Sequence, residues 1–388
     1  MKKKINFYYI SSFLLYEMYN ALVYVFGSYM LIEKGFSTSS AGIIISIGNL
    51  IGLCLQPLTS NISDNSKTLT VIDVTMVLAT LSLLATTLNV IALTPTVFAA
   101  IAYIVIISSS NCAESLYNCI HIFLQENDIN VSFSTARSLG SITYGISSSI
   151  LGVLFSKMPF NIALAYGPII TFILIICLFF LRKTTNARKN IKDKEELISY
   201  SQFLRNHPNY LKVVFALAII FFSYTLVDNF LILKLESIGG SSADLGNIML
   251  VKACLEFPTI FIYNKLEAKI GTIKLLAFAS FVFVLKNFII YIAPSTLLIY
   301  AAQLLQSFSF ALLTPAIISY INQITDKKES VRGQALYTMA IAVGAIVSSF
   351  LSGLIYDNLG LDVFFIIAMV AGLIGAILFT IFINRKEK

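Results

Sequence analysis

The chain has 388 residues, of which 57% are hydrophobic and only 12% charged, and its mean hydropathy is +0.84. Soluble globular chains carry roughly 25% charged residues, so there is too little polar side chain here to cover a water-facing surface; disordered, collagen-like and disulfide-scaffold readings fall with the soluble one. The formal net charge is +7 at pH 7, and where those charges fall along the chain decides what they mean.

Unbroken apolar runs such as 162–181 and 363–383 are long enough to cross a hydrocarbon core of roughly 30 Å. A transmembrane barrel would instead show alternating segments of about ten residues. An all-α polytopic membrane protein is therefore expected. The basic start, Met1 to Lys4, leads into an apolar run that is broken by Glu17 and continues to Leu31 without a small-residue cleavage site, which predicts a retained first helix. In chain order, twelve spans are expected at about 7–31, 41–62, 69–92, 97–122, 133–156, 161–181, 211–233, 243–264, 272–293, 296–322, 333–356 and 363–384.

One connection is long, polar and charged. It runs over 182–210 and divides the spans six and six, predicting an N-terminal bundle over 1–181, a cytoplasmic linker and a C-terminal bundle over 211–388. With both termini in the cytoplasm, 22 basic residues fall on that side; only Lys34, Lys157 and Lys234 fall on the other, and Lys252 and Lys286 lie within spans. The positive-inside rule expects such a bias, so the charge reflects topology and anionic lipid rather than nucleic acid. The five cysteines (Cys54, Cys112, Cys119, Cys177, Cys254) all sit in apolar runs and read as small apolar fillers.

An internal repeat supports the division. Gly35-Phe-Ser-Thr-Ser-Ser-Ala-Gly42 precedes the second span and Gly239-Gly-Ser-Ser-Ala-Asp-Leu-Gly246 the eighth; an offset of 204 carries Gly35 to Gly239, Ser37 to Ser241 and Gly42 to Gly246. Duplicated halves are a transporter device that places a site near the midplane.

Ionisable side chains inside a membrane are expensive, about 2.5–3.5 kcal/mol each on insertion scales, so they line aqueous cavities or pair with one another. Glu256 in span eight is the first candidate for proton coupling. Lys252 lies four residues before it on the same helix face, and Lys286 in span nine is placed to approach. The alternative is a static ion-pair cluster holding spans eight and nine together. Glu114 in span four and Arg137 at the start of span five form a second pair, suited to each other or to a substrate carboxylate. Glu17, with Asn20 and Tyr24 at helical spacings, and Asp228, four residues after Tyr224, open the two halves; such polar and aromatic walls suit a ring-shaped solute, though interfacial tyrosine is common. Asp73 is expected to snorkel or to meet a loop base. His121 and His207 have no metal-ligand company, so no metal site is expected. No nucleotide-binding loop or catalytic cluster is visible, and neither enzymatic activity nor a cofactor is expected.

The stretch Gly35–Asp64, with Gln56-Pro57 ahead of the acid, resembles the opening of the major facilitator superfamily. Its loop motif after span two reads here Ser60-Asn-Ile-Ser-Asp64-Asn65-Ser66-Lys67, and in the second half Asn264-Lys-Leu-Glu-Ala268-Lys269-Ile-Gly271. The first copy keeps the acid and the second keeps the base. Ala136-Arg137-Ser-Leu-Gly140-Ser141, Glu256-Phe-Pro, Lys286, Val331-Arg332-Gly-Gln334-Ala-Leu-Tyr337 and Tyr356-Asp357-Asn-Leu-Gly360 resemble the phenylpropionate-permease and lactose-permease-like branch. That resemblance implies a twelve-helix, two-bundle proton symporter, and implies that Asp64, Lys269 and Arg332 serve the conformational loops. It also implies that Arg137 binds substrate, that Lys286 replaces a coupling arginine, and that Gln306 faces substrate where the lactose permease has a titratable residue. Gln306 and Ser309 carry no proton near neutral pH. The expectation is a monomeric, multi-pass cell-membrane importer of a sugar, nucleoside or aromatic acid with H⁺. An efflux antiporter of the same fold is the first rival, disfavoured because Gly140-Ser-Ile-Thr-Tyr-Gly145 lacks a proline; the second, of another functional class, is a sensor or scaffold that keeps the fold but has lost transport.

Overall fold

The computed structural model describes residues 2–66, 68–92, 94–185 and 198–383, and no strand occurs among them. In chain order the helices are α1 (Lys2–Asn20), a π-helical turn (Ala21–Val25), α2 (Gly27–Glu33), α3 (Thr38–Asn65), α4 (Val71–Ile91), α5 (Val97–Glu126), α6 (Phe133–Lys157), α7 (Phe160–Leu164), α8 (Tyr166–Thr185), α9 (Tyr200–Asn206), α10 (Pro208–Asn229), α11 (Leu231–Ser237), α12 (Ser242–Ile270), α13 (Thr272–Ile292), α14 (Thr296–Ala302), a 3₁₀ turn (Gln303–Ser307), α15 (Phe310–Ile324) and α16 (Lys327–Ile383). Ten described stretches are long and apolar enough to cross a membrane. The expected spans differ from these at breaks. The first span is interrupted by the π turn, and the last two run together as α16, where Gly360 (φ 80°, ψ 176°) kinks the chain out of helical geometry.

Local chemistry sets the helix ends. Ser37, Thr96 and Ser199 each accept a backbone N–H from the third residue onward, and Thr70 with Asp73 forms a full capping box, satisfying donors that a helix start leaves orphaned. The sequence repeat has a conformational reason. Gly35 and Gly239 both have positive φ, 93° and 80°, in the left-handed region where a side chain costs about 1–2 kcal/mol, so both copies need glycine to turn into the next span.

The chain forms two compact units: Met1–Asp193 with Ser242–Leu250, and Lys194–Ser241 with Val251–Lys388. Residues 186–197 of the expected linker lie outside the described residues; its start completes α8 and its end forms α9 and opens α10. Lipid offers no hydrophobic drive between helices, so close packing must supply the attachment. In the second unit α10 lies against α16, where a Cβ on Gly344 would come within 2.7 Å of the Ala218 carbonyl. In the first, the start of α12 lies on α6: Ser242 donates to the Gly152 carbonyl at 3.2 Å and Ser149 to Asn247 Oδ1 at 2.5 Å.

The three lysines expected off the basic side lie at helix C-termini. Lys34 Nζ donates to the carbonyl of Asn89 (2.5 Å) and to that of Ala92 at the end of α4, Lys234 Nζ to the carbonyl of Tyr291 (2.8 Å) at the end of α13, and Lys157 lies in the last turn of α6. Cations there neutralise the helix dipole and the unpaired carbonyls. Burial pushes Lys34 down to about 8; it also lowers Lys234, against the opposing charge of Asp362.

Candidate functional site

Two polar networks lie inside the spans, one in each unit. In the second unit, Lys252 on α12 is buried and its ammonium reaches Asp228 Oδ1 on α10 at 2.5 Å and the hydroxyl of Tyr224 at 3.1 Å. Beside it runs a three-member chain. Lys286 Nζ on α13 donates to Gln306 Oε1 at 2.6 Å, and Gln306 Nε2 donates to Glu256 Oε1 at 2.7 Å. Lys286 is 2% exposed and Gln306 fully buried. The Tyr224 ring carries both cations, at 5.3 Å for Lys252 and 5.5 Å for Lys286, and stacks on Phe310. Such contacts add about 0.5–1 kcal/mol each at exposed sites and about 2 kcal/mol where water is excluded.

Helix geometry presents these groups. Tyr224 and Asp228 are one turn apart on α10, as are Lys252 and Glu256 on α12. Gln306 lies in the 3₁₀ turn that splits span ten, and Ser307 in the same turn donates to the Leu255 carbonyl at 2.8 Å, tying the break to the turn that carries Glu256. The shared face of Lys252 and Glu256 was legible, but Lys252 turns to Asp228, and Glu256 is held through Gln306.

In the first unit the hydrogen bonding runs through neutral groups. Tyr24 donates to Asn111 Oδ1 (2.9 Å), Asn111 Nδ2 donates to Asn49 Oδ1 (2.9 Å), and Gln56 Nε2 donates to the Asn111 carbonyl (2.9 Å). Gly52 makes room for this: a Cβ there would lie 2.7 Å from that of Asn111. Asn20 is buried, its Oδ1 accepting from Ser110 Oγ at 2.6 Å, while Tyr16 donates to the Ser110 carbonyl at 3.0 Å. Glu17 is half-buried, and Glu114 and Arg137 are exposed. Glu17 packs on Gly140, one turn from Arg137 on α6, and the three charges interact electrostatically. Asn49 and Asn111 were missed in the sequence; their signal was a pair of amides inside apolar runs, Asn111 three residues before Glu114 and Asn49 seven before Gln56.

Other sequence candidates lie apart from both networks. Arg182 Nε reaches both oxygens of Asp73, at 2.9 and 3.1 Å, so Asp73 meets a base. Arg332 donates to the Ile198 carbonyl at 2.8 Å and lies over the Tyr200 ring at 4.4 Å, while Glu329 takes His207 at 2.9 Å and Asn206 at 2.8 Å; these contacts hold α9 to the start of α16. Lys269 is exposed, and the Asp64 side chain lies outside the described residues. The second loop copy, without an acid at Ala268, has one at the preceding position: Glu267 accepts from Thr272 at 2.7 Å and from Ser319. Among the described residues no group of three or more His, Cys, Asp and Glu side chains is placed to hold a metal.

A helical, two-unit membrane chain with ionisable side chains set inside broken spans is the architecture of a secondary transporter. The chain belongs to the MFS_1 like family, which matches residues 6–367. It is similar to the Bacillus subtilis (strain 168) protein named Uncharacterized transporter YwbF, at 22% identity over 381 residues, covering 95% of this chain and 90% of that one. Among solved structures it is similar to a mutant of the nucleoside transporter NupG, with a TM-score of 0.82 at 14% identity over 99% of this chain and 100% of the other. An auto-inhibited POT family peptide transporter gives a TM-score of 0.80 at 11% identity, covering 100% and 98%. The protein is a membrane transporter of the major facilitator fold.

Proposed function

We propose that this transporter imports a small polar solute, a sugar, nucleoside or aromatic acid, by proton symport through alternating access, with Glu256 carrying the proton. The reading includes twelve crossings with both termini in the cytoplasm, a monomer in the cell membrane, and no enzymatic activity. The observation that carries it is the chain Lys286–Gln306–Glu256 beside the pair Lys252–Asp228. A carboxylate inside a membrane span, joined to a cation through one neutral amide, can take up a proton without stranding a bare anion in lipid. Glu17, Asn20, Tyr24, Glu114, Arg137 and Asp228 are the proposed solute-facing groups, with Asn49 and Asn111 positioning Tyr24. Asp64, Lys269 and Arg332 are the proposed conformational loop residues.

The test uses proteoliposomes with a trapped pH dye, to which sugars, nucleosides and aromatic acids are added in turn. Acidification of the lumen on addition of one compound, absent with Glu256→Gln, names the substrate class and the coupling together. Concentrative uptake that survives in Glu256→Gln removes the coupling role. Silence across the whole panel, with no exchange of labelled solute, removes the symporter reading.

A further inference from the structure

We propose that Gln306 is the positioning residue of the proton site: its amide relays the charge state of Glu256 to Lys286, so that protonation of the acid loosens the lysine. The inference rests on Glu256 being the proton carrier. An amide has two different ends, a carbonyl that only accepts and an NH₂ that only donates. Here the carbonyl faces the ammonium of Lys286 at 2.6 Å and the NH₂ faces the carboxylate of Glu256 at 2.7 Å. Cation, dipole and anion line up head to tail, the arrangement in which each hydrogen bond polarises the next.

The surroundings hold the amide in that orientation. Gln306 is fully buried and Lys286 nearly so, and Ser307, the next residue in the 3₁₀ turn, is bonded to the Leu255 carbonyl at 2.8 Å. The other charged groups facing Glu256 are Lys252 on its own helix and Asp228 on α10. Those two are engaged with each other at 2.5 Å, and the remaining titratable neighbour, Tyr224, takes its hydrogen bond from Lys252. The Gln306 route is therefore the hydrogen-bonded connection between Glu256 and a cation among the described contacts.

When Glu256 takes up a proton, the bond from Gln306 Nε2 ceases to be charge-assisted and loses roughly half its strength. Lys286 is then a buried cation that has lost the counter-charge it reaches through hydrogen bonds, Asp228 being engaged by Lys252, and its ammonium is freer to take another acceptor, such as the oxygens of a bound solute.

The test needs no solute. Infrared titration of the transporter in lipid follows the carbonyl band of protonated carboxylic acids, and the part lost in Glu256→Gln reports Glu256. Gln306→Leu removes the donor that favours the charged form, and Gln306→Glu replaces it with a like charge. The expected order of midpoints is wild type, then Gln306→Leu, then Gln306→Glu at the highest pH, the last shifted by about one pH unit or more. A Glu256 band whose midpoint is the same in all three proteins overturns the relay while leaving Glu256 as a proton carrier. Absence of any Glu256 band across the titration overturns the symport reading instead. Should Gln306→Leu fail to fold, Lys286→Met decides: the relay requires the Glu256 midpoint to rise when the lysine is removed, and an unchanged midpoint overturns it.

Discussion

The two units handle polarity in opposite ways. In the second, four charged groups within the spans are buried or half-buried and are taken up in pairs and chains: Lys252 by Asp228, Glu256 by Lys286 through an amide. In the first, the hydrogen-bonded interior is neutral, running through Tyr24, Asn111, Asn49 and Gln56, and the charges of Glu114 and Arg137 stay exposed. A charge can be removed from solvent only if it is compensated. The second unit compensates internally, while the first leaves the guanidinium of Arg137 and the carboxylate of Glu114 exposed.

The largest break in that comparison comes from Lys252→Met. It leaves Asp228 without its cation, and loss of one partner of a buried pair costs about 3–5 kcal/mol. A strong fall in melting temperature is expected in detergent, partly recovered in Lys252→Met with Asp228→Asn; far-UV circular dichroism reads both. The neutral network should break more gently. Asn111→Leu strands Tyr24 and Asn49, at about 1–3 kcal/mol, read in the same melts.

Gly35→Ala and Gly239→Ala each force a side chain into left-handed backbone and should cost about 1–2 kcal/mol. Equal losses would show that the two halves use the turn in the same way. Arg137→Gln and Glu114→Gln sharpen the comparison from the other side, because exposed charges contribute little to stability. Melting should barely change while uptake of the identified solute is lost, and a large fall in melting temperature would assign them a structural role.

The smallest effect is one of pH. Lys34 has a folded pKa of about 8 against an ordinary value of 10.5. Between these values the native protein binds fewer protons than the unfolded chain, so this lysine makes stability rise with pH across that window. Below about 8 its contribution no longer changes with pH. The slope should flatten in Lys34→Met, measured as melting temperature from pH 8 to 10.5.

Much of the fold was legible because lipid leaves so few solutions. Long apolar runs had to be helices, and the Gly35 and Gly239 repeat marked two turns whose backbone excludes a side chain. The interruptions were harder to see. The π turn at Ala21–Val25 is as apolar as its flanks, and the two glutamines of the 3₁₀ turn at Gln303–Ser307 leave Thr296–Ile324 as a whole apolar enough to span. Of the candidate site, the ionisable residues stood out individually because each is costly in a membrane, but their partners did not. Lys252 and Glu256 share a helix face, yet the ammonium takes the carboxylate of Asp228 on another helix. Glu267 was passed over because the loop motif looked for its acid one position later.

Sequence by itself determined that this chain is a helical membrane protein, because composition and apolar run length are properties of the chain that no packing can alter. It also nominated the charges, since each ionisable residue in an apolar run is conspicuous wherever it ends up. Which charge answers which was decided only by tertiary structure. Pairing depends on distances of about 3 Å between different helices, and those distances are set by how α10, α12, α13 and the broken tenth span pack together.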